Sequence, residues 1–279
     1  MDAASARYLD LFKQVLTGEA SPSAHDVPVD LLAPRAAAWK RFGYQWLAKP
    51  ALDALGLSLT RRDPRYFPLG AYTLLPRRLL DHLQGLVEQV VADRIPGDLI
   101  EAGVWRGGAC MLMKATLDAV GDARRVIVAD SFAGVPPPRA AADRGHTFHE
   151  HPVLAVSADE VRRAFQRFGL LDDRVIFLEG WFSVTLAAAP ATPLALVRVD
   201  ADLHESTTQA LEALYPLLSP GGVCIIDDYP IASARGAVDE FRARHGVTEP
   251  IQDPGCGGYG AWWRKAVPRD ATHDARRNS

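Results

Sequence analysis

Apolar positions along the chain first recur at helical spacing and later gather into short runs. In ARYLDLFKQVL, Leu9, Phe12 and Leu16 fall on one face, which predicts an N-terminal helix. SPSAHDVPVDLLAP follows, is broken by three prolines, and reads as loop. RAAAWKRFGYQWLAKPALDAL predicts helix on both sides of Pro50, and Arg61, Arg62 and Arg65 in SLTRRDPRYF predict a solvated basic face. LLPRRLLDHLQGLVEQVVAD carries the pattern of a long amphipathic helix that stops at Ile95-Pro96-Gly97.

Beyond residue 97 the period changes. GDLIEAG, RRVIVAD, DRVIFLEG, PLALVRVD and GGVCIIDD are short apolar runs. Between them lie helical patterns in GGACMLMKATLDAV, SADEVRRAFQRFG, STTQALEALYPLL and ARGAVDEFRARHG. Strands that alternate with helices and lack a polar face predict a doubly wound, mostly parallel α/β sheet. EPIQD and GAWWRK predict an antiparallel hairpin at the end of that sheet. Trp262 and Trp263 read as core or interface aromatics.

Composition narrows the classes. At 279 residues with net charge −3, the chain can bury a full core and offers no basic block for a nucleic acid. No apolar run approaches the length of a membrane span, and MDAASARYLDLFKQ lacks the apolar region of a signal peptide. Cys110, Cys224 and Cys256 are scattered and odd in number, which predicts a reducing cytoplasm.

The chemistry gathers where the apolar runs end. Asp200 closes LALVRVD, and Asp227 and Asp228 close GGVCIIDD. In an open α/β sheet, ligands bind at the carboxyl ends of the strands. Carboxylates crowded there need a cation, and Mg²⁺ fits an all-oxygen set. Helix capping is the plain alternative for one aspartate, but two such sites 27 residues apart favour a metal. The turn from Glu101 to Gly108 is glycine-rich and opens a helix. Gly103 permits a tight turn, and Glu101 suits a cationic ligand such as the ammonium and sulfonium of S-adenosylmethionine. Asp130, closing RVIVAD, is placed to accept from both ribose hydroxyls of a nucleoside, or else to cap the loop SFAGVPPP. Asp202 is expected on the side opposite Asp200, as a helix-start or outer group. His146, His149 and His151 share a Pro-flanked loop, where zinc is not favoured because no further Cys or His stands nearby.

GDLIEAGVWRGGACMLMKA, VADSFAGVPPP, LEGWF, LVRVDADLHEST, LEALYPLLSPGGVCIIDDY and GYGAWWRK together resemble the macrocin O-methyltransferase family over roughly residues 70 to 265. ARYLDLFKQVLTG is similar to that family's first helix. The resemblance implies a class I methyltransferase-like fold with a seven-stranded sheet. It divides the chain into a helical extension or cap (1–70), a methyltransferase domain (71–267) and a tail (268–279). It implies S-adenosylmethionine- and Mg²⁺-dependent methylation of a sugar hydroxyl on an antibiotic. Thr73, Glu101, Gly103, Asp130, Ser131, Gly180 and Trp181 would meet the cofactor. Asp200, Asp227 and Asp228 would hold the metal, and Asp200 would also be the general base. The loop holding the three histidines would be a lid over the substrate. One departure stands out: His204 occupies the place of a tyrosine in the family's DLYEST. A small-molecule acceptor and a homo-oligomer are expected. The competing readings are an Asp-x-Asp glycosyltransferase or phosphatase on Asp200 and Asp202, a non-catalytic scaffold, and a nucleoside or aminoglycoside acceptor.

Overall fold

Residues 1–20, 26–28, 66–68, 70–186, 192–255 and 258–267 are described by the computed structural model. The expected helices around Pro50, the basic face at Arg61, Arg62 and Arg65, and the tail 268–279 lie outside those residues. Within SPSAHDVPVDLLAP, β1 (Asp26–Pro28) pairs antiparallel with β2 (Tyr66–Pro68). The patch replaces part of the expected loop, since three residues ending in proline carry no alternation to detect.

The main sheet contains β3 (Asp98–Ala102), β4 (Val126–Asp130), β5 (Val175–Glu179), β6 (Leu194–Val199), β7 (Leu218–Ile226) and β8 (Ala261–Arg264). Their spatial order is β5-β4-β3-β6-β7-β8. The first five are mutually parallel and β8 runs antiparallel to β7. The chain winds outward from β3 through β4 and β5, then returns to place β6 and β7 on the other side. The reversal sets the carboxyl ends of β3 and β6 side by side, the crevice where such sheets bind ligands. Six strands rather than seven make up this sheet among the described residues. The expected hairpin is reduced to one bridge, Gln252 to Trp262, because Pro250 and Pro254 remove the backbone donors needed to extend it.

Each face of the sheet buries its own cluster. Leu99, Val128, Leu196 and Ile225 pack against α1 (Ala3–Leu16), α2 (Arg77–Ala92) and α3 (Gly108–Val120). Ile100, Val197, Cys224 and Trp263 point the other way, toward α6 (His204–Leu214) and α7 (Ala232–His245). Leu9, Phe12 and Leu16 are buried, so the N-terminal helix shares the main core. α2 buries Leu80, Leu83, Val87 and Val90, the face its period predicts. α4 (Ala158–Arg167) begins with a reciprocal Ser157–Glu160 capping box, and α5 (Phe182–Thr185) is a single turn after Trp181.

Candidate active site

Glycine is obligatory at the tip of β3. Gly103 has φ +89°, and a Cβ there would sit 1.7 Å from the carbonyl oxygen of Asp200. The backbone that approaches Gly103 closely is a neighbouring strand end. Gly103 N donates to Ala129 O at 2.9 Å and Asp200 N to Ala102 O at 2.9 Å, which locks three strand ends together.

Above them opens a cavity of about 580 Å³. Thr73, Glu101, Gly103, Asp130, Ser131, Trp181, Asp200, Asp227 and Asp228 all line it. Gly180 does not; its N–H donates to Asp130 O at 2.8 Å and supports the wall from behind. Asp130 accepts from Val104 N at 2.7 Å and Phe132 N at 2.8 Å, so it caps two loops and still has lone pairs for a ligand. Thr73 and Ser131 are turned partly inward, Thr73 Oγ1 accepting from Leu75 N at 3.1 Å and Ser131 Oγ donating to Gly134 O at 2.9 Å.

The sequence reading missed the cation at the centre. Arg198, on β6 with 2% exposure, reaches Glu101, Asp200 Oδ2 at 2.9 Å and Asp227 Oδ1 at 2.6 Å. Its Nη2 is close to Asp227 but out of line for a hydrogen bond. Burial works against this charge, yet Asp227, Asp200 and Glu101 together hold the guanidinium firmly protonated. Glu101, 1% exposed, also accepts from the Cys110 thiol at 2.7 Å. The charge expected to meet a cationic ligand is therefore already met inside the protein. Burial nonetheless raises the Glu101 pKa, outweighing Arg198 and the thiol.

One arginine does not balance this many carboxylates. Burial and the Asp227 carboxylate push the Asp200 pKa well above the usual range. Burial, Asp202 and Asp227 push Asp228 up to about 8. Asp200, Asp227 and Asp228 bring one ligand oxygen each within 4.8 Å of the others. Each has one oxygen turned to the protein: Asp200 and Asp227 face Arg198, and Asp228 Oδ2 accepts from Ala201 N and Asp202 N at 2.9 and 2.7 Å. Three hard oxygen donors with surplus negative charge fit a divalent cation such as Mg²⁺.

Asp202 lies elsewhere than expected. The expected opposite side does not follow from strand alternation, which gives residues two apart the same face. β6 moreover ends at Val199, and Asp202 turns back with φ +59° to line the cavity beside Asp200. Aspartate tolerates that left-handed conformation better than most residues. Burial, then Asp200 and Asp227, raise its pKa to about 7.

The histidines separate. His151 lines the cavity, whereas His146 Nε2 stands 3.0 Å from Ser233 Oγ. His204 is directed at Glu240, 3.2 Å away on α7, and does not line the cavity. No described helix is long and apolar enough to cross a membrane. Cys110 and Cys224 are buried free thiols.

The geometry has close counterparts. A family model described as macrocin-O-methyltransferase (TylF) matches residues 5–265. The chain is 48% identical over 262 residues to the 8-demethyl-8-(2,3-dimethoxy-alpha-L-rhamnosyl)-tetracenomycin-C 4'-O-methyltransferase of Streptomyces olivaceus, covering 92% of each. It is 42% identical over 223 residues to the mycinamicin III 3''-O-methyltransferase of Micromonospora griseorubida, covering 77% of this chain and 87% of that one. Among solved structures, the O-methyltransferase NovP superposes with TM-score 0.75 at 37% identity, over 94% of this chain and 100% of that one.

Proposed function

The chain belongs to the macrocin-O-methyltransferase family, and from that premise we propose that it methylates a sugar hydroxyl on a natural product, using S-adenosylmethionine and Mg²⁺. The observation that carries this reading is the convergence of Asp200, Asp227 and Asp228 in the cavity that also receives the Gly103 turn and Asp130. Family membership sets aside the glycosyltransferase and phosphatase readings of Asp200-Ala201-Asp202.

An alcohol holds its proton far too tightly to attack a methyl donor unaided at neutral pH. S-adenosylmethionine, when bound, supplies the electrophilic methyl group. A cation held by Asp200, Asp227 and Asp228 would acidify the acceptor hydroxyl and fix its position. The proton then needs an acceptor within the protein. Asp200 serves poorly, because one oxygen is held by Arg198 and the residue belongs to the trio that would hold the cation. Asp202 is outside the ligand trio and lines the same cavity, so its carboxylate faces the acceptor space without being committed to the cation. We assign proton acceptance to Asp202 and metal binding to Asp200. Asp130 and the backbone it caps would hold the nucleoside side of the cavity, while Trp181 and Leu74 form an apolar rim at its mouth.

The acceptor class rests on the relatives, one of which acts by name on a rhamnosylated tetracenomycin. Incubating the protein with S-adenosylmethionine, Mg²⁺ and that relative's acceptor should add one methyl group to the sugar by mass spectrometry. Absence of methylation across a panel of glycosylated natural products, with cofactor demonstrably bound, would sink the reading.

A further inference from the structure

α6 begins directly after the acidic turn and lacks a cap of its own. Its N-cap residue is Leu203, which has no side-chain acceptor for the first-turn N–H groups. They are satisfied from 61 residues earlier in the chain. Asp143, in the loop between β4 and α4, is fully buried. It accepts from His204 N at 2.7 Å through Oδ1 and from Glu205 N at 3.2 Å through Oδ2. A carboxylate at this end also meets the positive end of the helix dipole.

The loop that carries Asp143 walls the cavity with Phe148, His151 and Leu154, and α6 lines it with Glu205 and Ser206. On the cofactor side the loop is tied by Trp105 Nε1, which donates to Val153 O at 2.9 Å. On the α7 side it is tied by His146 and Ser233. Of these three ties, the Asp143 contact is the one that reaches the helix continuing from Asp200 and Asp202.

We propose that Asp143 is a positioning residue for methyl transfer, a role that rests on the function proposed above. By capping α6 in trans, it makes the acceptor-side wall and the Asp200–Asp202 turn one unit. Capture of the acceptor and alignment of the proton-accepting turn then occur together. Asp143 is fully buried and does not line the cavity.

The test compares wild type, Asp143→Asn, Asp143→Ala and Ser233→Ala, with the rhamnosylated tetracenomycin as probe acceptor. Both Asp143 variants should raise acceptor KM by about tenfold or more while leaving S-adenosylhomocysteine affinity within about twofold. Ser233→Ala should leave acceptor KM within about twofold, since its pin does not reach α6. Unchanged acceptor KM in both Asp143 variants overturns the proposal, as does an equal loss of cofactor affinity. An equal KM rise in Ser233→Ala also overturns it, because loosening the loop anywhere would then suffice. If wild type fails to methylate the probe, the proposed acceptor falls, and hydrogen exchange on the cofactor-loaded protein decides Asp143 alone. Faster exchange confined to residues 200–206 in Asp143→Asn supports the role, and unchanged exchange there rejects it.

Discussion

Arg198 and Glu101 stand opposite each other in register on adjacent parallel strands β6 and β3, both sealed from solvent. Their pairing puts the cation for the strand-end carboxylates inside the protein, beneath the cavity. It also joins the turn at Gly103 to the metal-binding trio, because the same guanidinium reaches Asp200 and Asp227.

Removing one partner of a buried pair leaves the other charge uncompensated, which costs about 3–5 kcal/mol. Arg198→Met should therefore destabilise the protein by roughly that amount, measured by urea unfolding. Glu101→Ala should show the same kind of loss before any specific effect on cofactor affinity appears. A loss in Arg198→Met below about 1 kcal/mol, the value of an exposed pair, would mean the site is wetter than its burial indicates.

Asp202 and Asp228, with pKa values near 7 and 8, hold protons in the folded state that the unfolded chain releases near pH 4. The folded form binds more protons across that interval, so stability falls as pH rises. The metal-free protein should be most stable below about pH 4 in this respect and lose that contribution progressively up to about pH 8. Saturating Mg²⁺ should flatten the decline, because the cation replaces the protons. Melting temperatures recorded across this range in chelator and in Mg²⁺ decide the matter: superimposable curves would remove the metal from this site.

Asp130 joins two loops through Val104 N and Phe132 N. Asp130→Ala leaves both donors without their acceptor and should cost about 1–3 kcal/mol in stability. S-adenosylhomocysteine binding by calorimetry should weaken by a similar amount if the carboxylate also holds the ribose. Destabilisation with unchanged affinity would restrict Asp130 to capping.

Much of this was legible in the sequence, and the exceptions share a cause. The strands announce themselves as Val-, Ile- and Leu-rich runs, and Asp200, Asp227 and Asp228 stand out because each set ends such a run. Arg198 was overlooked because a single charge in LALVRVD reads as an interruption. Asp200 closes the same run two residues on, but Glu101 and Asp227 come from the neighbouring strand ends and nothing local reveals them, although an arginine in a strand buried on both faces is itself a signal. Asp143 sits in a loop without periodicity, 61 residues from the helix it caps. The opposite side expected for Asp202 misapplies strand alternation, which puts residues two apart on one face, and the left-handed turn after Val199 has no local signature beyond the aspartate itself.

The division of labour between Asp200 and Asp202 is open to a paired substitution. Asn keeps an oxygen that can touch a cation but accepts no proton, so the same change reads differently at the two positions. Asp202→Asn should lower the single-turnover rate by about 10²–10⁴-fold, the range for losing a general base, with little change in Mg²⁺ or cofactor affinity. Asp200→Asn weakens one ligand of three, and it also leaves Arg198 with one carboxylate fewer. Its rate should therefore recover for the most part as Mg²⁺ is raised, while that of Asp202→Asn should not. Isothermal titration with Mg²⁺ provides the check that does not depend on turnover. If Asp200→Asn instead resists rescue and Asp202→Asn retains its rate, Asp200 both binds the cation and accepts the proton.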